Sequence, residues 1–240
     1  MKTYACQVMK VVAMKDFIYQ VRLRLPAGRL PDFSAGQYLA ITLPSKEAPN
    51  FFSIASAPGE REIELHVQAD PHLATAVELI ETLQQSPVIS VTLPFGKACL
   101  PAAPSKPLLL LAAGTGFAQM KSIVEYVYAR LDHHPVTLYW GVRREEDMYL
   151  RDLAEAWQRE NKGFRFVPLI ADDSDAVAGI EHHNQLADAV IEDNHDLENC
   201  EVFVSGSPRL VFSALDELVA RGLPKECFHS DVFEYASPED

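Results

Sequence analysis

The stretch of residues 108–117 restricts the fold of this chain more than any other part of the sequence. It reads LLLLAAGTGF, a continuous apolar run of the length of a buried strand that ends in two glycines around a threonine. The residues that follow repeat with helical spacing, and their apolar positions are Met120, Ile123, Val124 and Val127. A buried strand that turns directly into a helix predicts a parallel sheet with helices packed on its faces.

The turn Gly114-Thr115-Gly116 has the composition of a phosphate-binding turn. Glycines let a ligand approach the backbone closely, and the N–H groups at a helix N-terminus favour the negative charge of a pyrophosphate. The pattern stops short of the dinucleotide fingerprint G-x-G-x-x-G, because Gln119 stands where the third glycine belongs. On these residues alone, a nucleotide site and a purely structural tight turn both stay open.

A second turn of small residues, Ser205-Gly206-Ser207-Pro208, ends a later apolar strand. Its proline suits the first turn of a following helix. Two such turns on one parallel sheet face the same crevice, where open α/β sheets bind nucleotides. Between them in the sequence, Arg143 and Arg144 supply positive charge for a phosphate, although two surface arginines need no ligand to explain them. Together these segments predict a nucleotide-binding site.

Strand and helix patterns alternate throughout the second half of the chain. The predicted strands are residues 108–112, 136–140, 166–170 and 201–205. The predicted helices are residues 118–131, 150–160, 184–191 and 208–221. This alternation indicates a parallel sheet that is covered on both faces.

The first half of the chain has a different pattern of short strands separated by prolines and glycines. The predicted strands are residues 8–12, 18–25, 38–43, 63–67 and 88–93, with one helix at 75–84. This is typical of an antiparallel barrel or sandwich. Three prolines within residues 101–107 mark a linker, so the predicted domains are 1–100 and 108–240.

Charge and apolar length exclude two classes of partner. The chain has 34 acidic and 21 basic residues and a net charge of −13, which repels phosphate backbones, so no nucleic-acid partner is expected. The longest apolar run, residues 107–113, is too short to span a bilayer. The first residues, MKTYAC, lack the apolar core of a signal peptide, so we expect a cytoplasmic protein.

Potential metal ligands are scattered along the chain. The cysteines lack the close spacing that zinc and iron–sulfur sites require, since they are Cys6, Cys99, Cys200 and Cys227. The adjacent histidines at 133–134 and 182–183 lie in polar stretches and are expected to be solvated. The sequence therefore predicts no metal site.

The order of several short motifs along nearly the whole chain resembles that of the ferredoxin-NADP reductase superfamily. The motifs are residues 35–38, 52–56, 64–67, 93–96, 113–117, 139–143, 206–208 and 230–233. Within that superfamily the chain most closely resembles bacterial NAD(P)H:flavin oxidoreductases, which supply free reduced flavin. The resemblance implies a six-stranded antiparallel flavin barrel, followed by a five-stranded parallel NAD(P)-binding sheet with helices on both faces.

The resemblance also assigns roles to the residues that match these motifs. The catalytic residue is Ser53, whose hydroxyl would hydrogen-bond near N5 of a flavin and stabilise the charge that develops there. The implied flavin-binding residues are Asn50, Phe51, Phe52, Ser53, Ile54, His66, Val67 and Phe233. The implied NAD(P)-binding residues are Gly114, Thr115, Gly116, Phe117, Arg143, Arg144, Ser205, Gly206, Ser207, Pro208 and Asp231.

The chain departs from the family's pattern at positions that hold phosphate and nicotinamide. Asn50 replaces a phosphate-binding arginine, and residues 70–75 lack the Gly-x-x-Ser motif of tight FAD binders. Ser205 replaces a cysteine that is common before the second glycine turn. Without the two phosphate anchors, the flavin is expected to be held mainly by its ring system and to bind and leave as a substrate.

Three functions follow from this resemblance. The first is an NAD(P)H:flavin oxidoreductase that releases reduced FMN, FAD or riboflavin, which a flavin-using monooxygenase or another electron-acceptor protein would consume. The second is a reductase component that retains FAD and passes electrons to a separate protein partner. The third is a non-catalytic subunit that keeps the fold. The sequence leaves the choice between NADH and NADPH open.

Overall fold

The computed structural model of the chain describes residues 1–26, 28–43, 45, 46, 48–171, 185–193 and 195–238. These residues form two compact units. The first consists of Met1–Pro101 and Lys121–Tyr126, and the second of Ala102–Met120 and Val127–Asp240. The first unit thus ends inside the predicted linker, and it also includes Lys121–Tyr126, which the sequence placed with the second domain.

The first unit is built on antiparallel strands and one helix. Its elements are β1 (Lys2–Lys15), β2 (Ile18–Arg24), β3 (Tyr38–Ile41), β4 (Asn50–Ser53), β5 (Glu62–Gln68), α1 (Ala74–Gln85) and β6 (Val88–Phe95). The order across the six-stranded sheet is β4-β3-β6-β1-β2-β5. An antiparallel bridge between Ile54 and Leu65 joins the two edges, so the sheet closes into a barrel.

Strand β5 is buried on both of its faces. Ile63, Leu65 and Val67 point into the barrel core, as the period of two predicts. The alternate residues Glu64 and His66 are also buried, although they point away from that core. An antiparallel strand that faces solvent on its outer side would carry exposed polar residues there. The outer side of β5 is therefore covered, and its polar residues need partners.

The second unit alternates strands and helices. Its elements are β7 (Leu108–Ala113), α2 (Phe117–Tyr128), β8 (Val136–Val142), α3 (Arg151–Glu160), β9 (Phe164–Ile170), α4 (Gln185–Glu192), β10 (Glu201–Ser205), α5 (Pro208–Ala220) and β11 (Phe228–His229). All neighbouring strands are parallel, in the order β11-β10-β7-β8-β9. The predicted fold class is confirmed.

The strand order of the second unit reverses between β7 and β10. The first strand of this unit, β7, is the central one. Strands β8 and β9 follow on one side of it, and β10 and β11 then lie on the other side. Such a reversal, the switch point, opens a crevice beyond the carboxyl ends of the two central strands. The two small-residue turns found in the sequence follow β7 and β10, the strands that border this crevice.

Most predicted elements match the structure to within a few residues, and the exceptions have physical reasons. Strand β1 is much longer than the predicted 8–12, because it pairs with β2 over one part of its length and with β6 over another. Strand β11 is too short for any pattern to reveal. Helix α4 is described from Gln185, and Asn184, the first residue of the predicted helix, lies outside the described residues.

The two histidine pairs have different outcomes. His133 is exposed, as expected. His134 is half-buried, and its Nε2–H donates to the carbonyl of Lys106 at 2.9 Å, so the prediction of a solvated side chain is wrong there. The pair at 182–183 lies outside the described residues.

The described residues contain neither a candidate membrane-spanning helix nor a candidate metal-binding cluster. None of the helices in this part of the chain combines the length and the apolar content that crossing a bilayer requires. The same residues contain no group of three or more His, Cys, Asp or Glu side chains arranged to hold a metal ion.

Candidate functional site

The turn after β7 is fixed by one glycine conformation and one tryptophan. Gly114 has φ +53°, in the left-handed region, and no described atom lies within 4 Å of the point that a Cβ would occupy. The carbonyl of Gly114 accepts a hydrogen bond from the indole N–H of Trp140 at 2.9 Å. Gly114–Gly116 forms a 3-10 turn that leads into α2, so its N–H groups lie at a helix N-terminus. The turn has open space for a ligand above a row of backbone donors.

The turn after β10 lies against the turn after β7. A Cβ on Gly116 would lie 2.4 Å from the carbonyl oxygen of Ser205, a distance that only glycine can tolerate. A Cβ on Gly206 would lie 3.2 Å from the Cβ of Ala113. Both glycines therefore allow the two chain segments to meet at the switch point.

The start of α5 shows why its turn has this composition. Ser207 is the N-cap, and its Oγ accepts a hydrogen bond from the backbone N–H of Leu210 at 3.4 Å. Pro208 occupies the first turn, as predicted. The hydroxyl of Ser207 thus has a structural partner, and the N-terminus of α5 points toward the same crevice as that of α2.

Phe117 is a packing residue. Its side chain is fully buried and stacks on Trp140 with ring centroids 4.0 Å apart. Tyr149 and Trp157 complete the aromatic cluster around it. The predicted NAD(P)-binding role of Phe117 would therefore use its backbone atoms. The cluster supports the turn after β7 because it fixes Trp140, whose indole N–H donates to the carbonyl of Gly114.

The two arginines after β8 differ in what they contact. Arg144 forms ion pairs with Glu146 and Asp147, both at 2.9 Å. Arg143 is exposed, and the described part of the chain gives it no ion-pair partner. An anionic ligand would have to compete with two carboxylates for Arg144 but with none of the described ones for Arg143. Of the two guanidinium groups, that of Arg143 is therefore the less engaged by the described carboxylates.

The two residues predicted near the C-terminus lie in the second unit. Asp231 accepts a hydrogen bond from the side-chain amide of buried Gln119 at 3.1 Å, which ties the C-terminal segment to α2. Phe233 is 42% exposed and contacts the rings of Phe212 and Phe228. Part of its ring is therefore open to solvent, and its role beside a flavin stays a prediction.

Strand β4 presents one face to the barrel core and the other outward. Phe52 packs against the core, and Ile54 just beyond the strand is fully buried. Ser53 and Phe51 share the outward face because side chains alternate along a strand. Phe51 is 54% exposed, and its ring contacts those of Tyr38 and Phe95. The result is an aromatic surface beside the hydroxyl of Ser53.

Asn50 carries an unsatisfied buried donor. Its Nδ2 is inaccessible to solvent and has no hydrogen-bond partner among the described residues. Leaving such a donor unpaired costs about 1–3 kcal/mol, so folded proteins rarely keep one without a reason. Because side chains alternate along β4, Asn50 lies on the face opposite to Ser53 and Phe51, so this donor is not presented on the outward surface.

His66 and Val67 are both buried, and neither side chain is free for a ligand. Val67 belongs to the barrel core, so its predicted flavin-binding role would use its backbone atoms. The side chain of His66 is completely buried, with Nε2 2.9 Å from Oε1 of Glu64. Burial lowers the pKa of His66, so the neutral ring donates its Nε2–H to the carboxylate.

Glu64 remains ionised although it is buried. Burial raises its pKa, but the hydrogen bond from His66, the charge of Lys121 and a hydrogen bond from Gln20 outweigh burial and lower the pKa to about 2. Arg22 adds an ion pair at 3.1 Å. The sequence reasoning missed Lys121 and gave Glu64 no role.

A signal for Lys121 was present in the sequence. Lys121 lies three or four positions from Phe117, Ala118 and Val124, so it belongs to the apolar side of α2 and not to a solvated side. A lysine in such a position requires a buried counter-charge. No local pattern in the sequence predicts the hydrogen bond between Trp140 and Gly114.

Comparison with known proteins identifies the families to which these features correspond. Residues 110–215 match the family model described as the oxidoreductase NAD-binding domain. The chain is 31% identical to the NAD(P)H-flavin reductase of Vibrio harveyi, with 97% of this chain and 99% of that protein covered. It is 34% identical to reductase component 2 of terephthalate 1,2-dioxygenase from Comamonas sp, with 89% of this chain covered. The match spans 63% of the length of that relative.

A solved structure with similar architecture extends over both units. The ferredoxin-NADP+ reductase of Plasmodium falciparum, determined with 2′P-AMP, superimposes with a TM-score of 0.77. The match covers 95% of each chain at 15% sequence identity, which supports the fold.

Proposed function

Since this chain belongs to the NAD(P)H-flavin reductases of the ferredoxin-NADP reductase superfamily, we propose that it transfers a hydride from NADH or NADPH to a flavin. The observation that carries the proposal is the meeting of two glycine-containing turns at the switch point of the second unit. The proposed substrates are the nicotinamide nucleotide and FMN, FAD or riboflavin.

The second unit would hold the nicotinamide nucleotide at the two turns. Backbone N–H groups of Gly114, Thr115 and Gly116 are suited to the pyrophosphate, because they lie at the N-terminus of α2. Residues 205–208 would line the opposite side of the crevice, with the N-terminus of α5 adding a second favourable dipole. Arg143 would supply the cation for a phosphate.

The first unit fits a flavin at β4. The aromatic surface of Tyr38, Phe51 and Phe95 provides a face on which a planar ring packs well. Ser53 lies on the same face and supplies a hydroxyl, whereas Asn50 lies on the opposite face of β4 because side chains alternate along a strand. The residues of the outward face therefore fit the ring of a flavin.

A bound flavin supplies the acceptor for the two electrons and the proton that leave the nicotinamide as a hydride. Ser53 would donate a hydrogen bond where negative charge develops, and a donor that is already oriented stabilises charge without reorganisation. The two turns of the second unit would restrict the nicotinamide to a reactive orientation, and proximity of this kind accounts for much of the rate of a transfer reaction.

We propose further that the flavin is released after reduction. Asn50 carries no charge, so it cannot replace an arginine as a phosphate ligand. At the start of α1, the carboxylate of Asp70 accepts a hydrogen bond from the N–H of His72 at 2.9 Å and places negative charge where a pyrophosphate would bind in FAD-retaining relatives. Both features favour loose binding.

A second candidate is a reductase component that retains FAD and reduces a separate oxygenase. It is supported by the 34% identity to a terephthalate dioxygenase reductase component. The third candidate, a non-catalytic subunit, is motivated by Asn50 in place of the arginine. The fit of both units to their ligands favours an enzyme over an inert subunit.

The experiment is a steady-state assay of the purified chain with NADH and NADPH, each against riboflavin, FMN and FAD. We expect oxidation of at least one nicotinamide that requires added flavin and saturates with it. The absence of turnover in all six combinations would refute the proposed activity.

Gel filtration separates the first two candidates. A chain that releases its product elutes colourless, whereas a reductase that retains FAD elutes yellow with stoichiometric flavin. The colourless result combined with flavin-dependent turnover supports the free-flavin reductase. A yellow protein that reduces added flavin slowly but an electron-acceptor protein rapidly supports the second candidate instead.

A further inference from the structure

A cluster of buried charges lies on the outer side of β5, within the first unit. Its members are Glu64 and His66 of β5 and Lys121 and Glu125 of α2. The side chains of Lys121 and Glu64 are only 8% and 7% exposed. The Nζ of Lys121 lies 2.8 Å from Oε1 of Glu125 and 3.7 Å from Oε1 of Glu64. A buried pair of this kind adds little stability compared with apolar residues of the same size, so it calls for another explanation.

Lys121 also contacts the segment that follows Ser53. Its Nζ donates to the carbonyl of Ala55 at 3.3 Å. The next residue of the helix, Ser122, donates through Oγ to the carbonyl of Ser56 at 2.8 Å. Two consecutive side chains of α2 thus hold two consecutive carbonyls immediately after β4.

The same segment is held from its other side by β5. The N–H of Ala55 donates to the carbonyl of Glu64 at 2.8 Å, and the N–H of Glu64 donates to Oγ of Ser56 at 3.0 Å. Ala55 and Ser56 are therefore fixed between a strand and a helix. Ser53 lies two residues before this fixed point, at the end of the ladder that pairs it with Tyr38.

We propose that Lys121 is a positioning residue for Ser53, and that it acts by holding the backbone of Ala55. The inference rests on the proposed function, because the consequence of a displaced Ser53 is a change in flavin binding. Lys121 itself touches no flavin in this proposal. A lysine suits the role because its ammonium carries three donors, and the site provides acceptors on Glu64, Glu125 and Ala55.

The test uses charge-balanced variants of the full chain. Lys121→Met combined with Glu125→Gln removes one positive and one negative group, so no new net charge is buried. The matched control is Arg165→Met with Asp193→Asn, which removes an ion pair of 2.7 Å from the second unit. Ser122→Ala is a milder variant that loses only the bond to Ser56.

Three readouts are measured, one of them without flavin. Hydrogen exchange of the flavin-free protein should show faster exchange of residues 54–56 in the Lys121 variant, with no such change in the control. Flavin fluorescence quenching should show a Kd raised about tenfold in the Lys121 variant and about threefold in Ser122→Ala, with the control within about twofold of wild type. The KM for the nicotinamide should stay within about twofold in all variants.

The outcomes separate the inference from the proposed function. If the wild-type chain binds none of riboflavin, FMN and FAD, the proposed function fails and the inference fails with it. If the wild type binds flavin and the Lys121 variant binds it equally well, only the inference fails, and the cluster is structural. If the Lys121 variant does not fold, Ser122→Ala decides, and an unchanged flavin Kd in that variant overturns the inference.

Discussion

The turns at the switch point and the segment after β4 hold their proposed ligands by different means. At the turns, the backbone itself is the binding surface, and glycines allow Gly116 and Ser205 to approach within a distance that no side chain permits. After β4, the backbone is held by side chains from distant parts of the chain, among them Lys121 and Ser122. The first construction is local in sequence, and the second is not.

This difference determines whether each of the two segments is more sensitive to steric changes or to changes of protonation. Residues 114–116 and 205–208 contain no ionisable side chain, so pH reaches those turns only indirectly. The segment after β4 depends on Glu64 and Lys121, whose charges must balance in a buried environment. We therefore expect steric changes to damage the nicotinamide side most and changes of protonation to damage the flavin side most.

The largest effect is expected from Gly116→Ala. The new Cβ would lie 2.4 Å from the carbonyl oxygen of Ser205, so one of the two turns must move. Displacement by about 1 Å should lower kcat/KM for the nicotinamide about hundredfold and the free energy of unfolding by about 3 kcal/mol. The flavin Kd should change by less than about twofold. Steady-state kinetics measures kcat/KM, urea unfolding measures the free energy of unfolding, and flavin fluorescence quenching measures the flavin Kd.

The control for this change is Gly141→Ala. In that variant the new Cβ meets the side chain of Leu186 at 3.5 Å, an ordinary van der Waals contact. Activity and stability should remain close to wild type. If both glycine variants lose activity equally, the nicotinamide site does not depend on the contact between Gly116 and Ser205.

The sequence was informative where structure is local. The turn at Gly114 and the place of Pro208 in the first turn of α5 were predicted because the conformations of glycine and proline are set by adjacent residues. The alternation of strands and helices likewise predicted the parallel sheet. The bounds of β1 were not predictable, because its length depends on pairing with two strands far away in the sequence.

The contacts of buried side chains near the two proposed sites could not be predicted from the sequence for the same reason. Phe117 and Val67 match family motifs, yet both are buried and serve packing. One partner of Glu64, Lys121, comes from a helix that begins about fifty residues later, and nothing local to β5 indicates it. Residue type alone suggested ligands where the fold required core residues and counter-charges.

The second effect in size is a loss of stability in acid. The pKa of Glu64 falls from 4.5 to about 2 on folding, so its stabilisation is complete above pH 4.5 and is lost as pH falls toward 2. Glu64 alone should cost about 2 kcal/mol between about pH 6 and about pH 3. Burial lowers the pKa of His66, so His66 also destabilises the fold as pH falls below 6.5. Burial raises the pKa of Glu125, so Glu125 acts in the opposite direction.

Urea unfolding at several pH values measures this loss, and Glu64→Gln tests its source. The variant should have a flatter dependence on pH below 4.5 because it lacks the titrating group. In the wild type, the flavin Kd should rise in acid before the nicotinamide KM does. A variant as steep as the wild type would assign the acid sensitivity to other groups.

The third effect is expected from Ser53→Ala. Loss of the hydroxyl should lower flavin-dependent turnover about tenfold, which corresponds to about 1.4 kcal/mol of barrier. Ser90→Ala, at an exposed position of β6, is the matched control and should be neutral. A tenfold loss would also eliminate the non-catalytic subunit as a candidate, since an inert chain has no turnover to lose. Equal rates for both variants would remove Ser53 from the reaction.

The smallest effect separates the two arginines after β8, and it tests whether a side chain adds to a site that backbone otherwise builds. Arg143→Gln should raise the KM for the nicotinamide about fivefold, or about 1 kcal/mol. Arg144→Gln should stay within about twofold, because Glu146 and Asp147 already pair with that guanidinium. A larger effect with NADPH than with NADH would assign Arg143 to the 2′-phosphate, and equal effects would assign it to the pyrophosphate. If Arg144 proves the more important, its carboxylate partners must release it when the nucleotide binds, and the turns alone do not define the phosphate site.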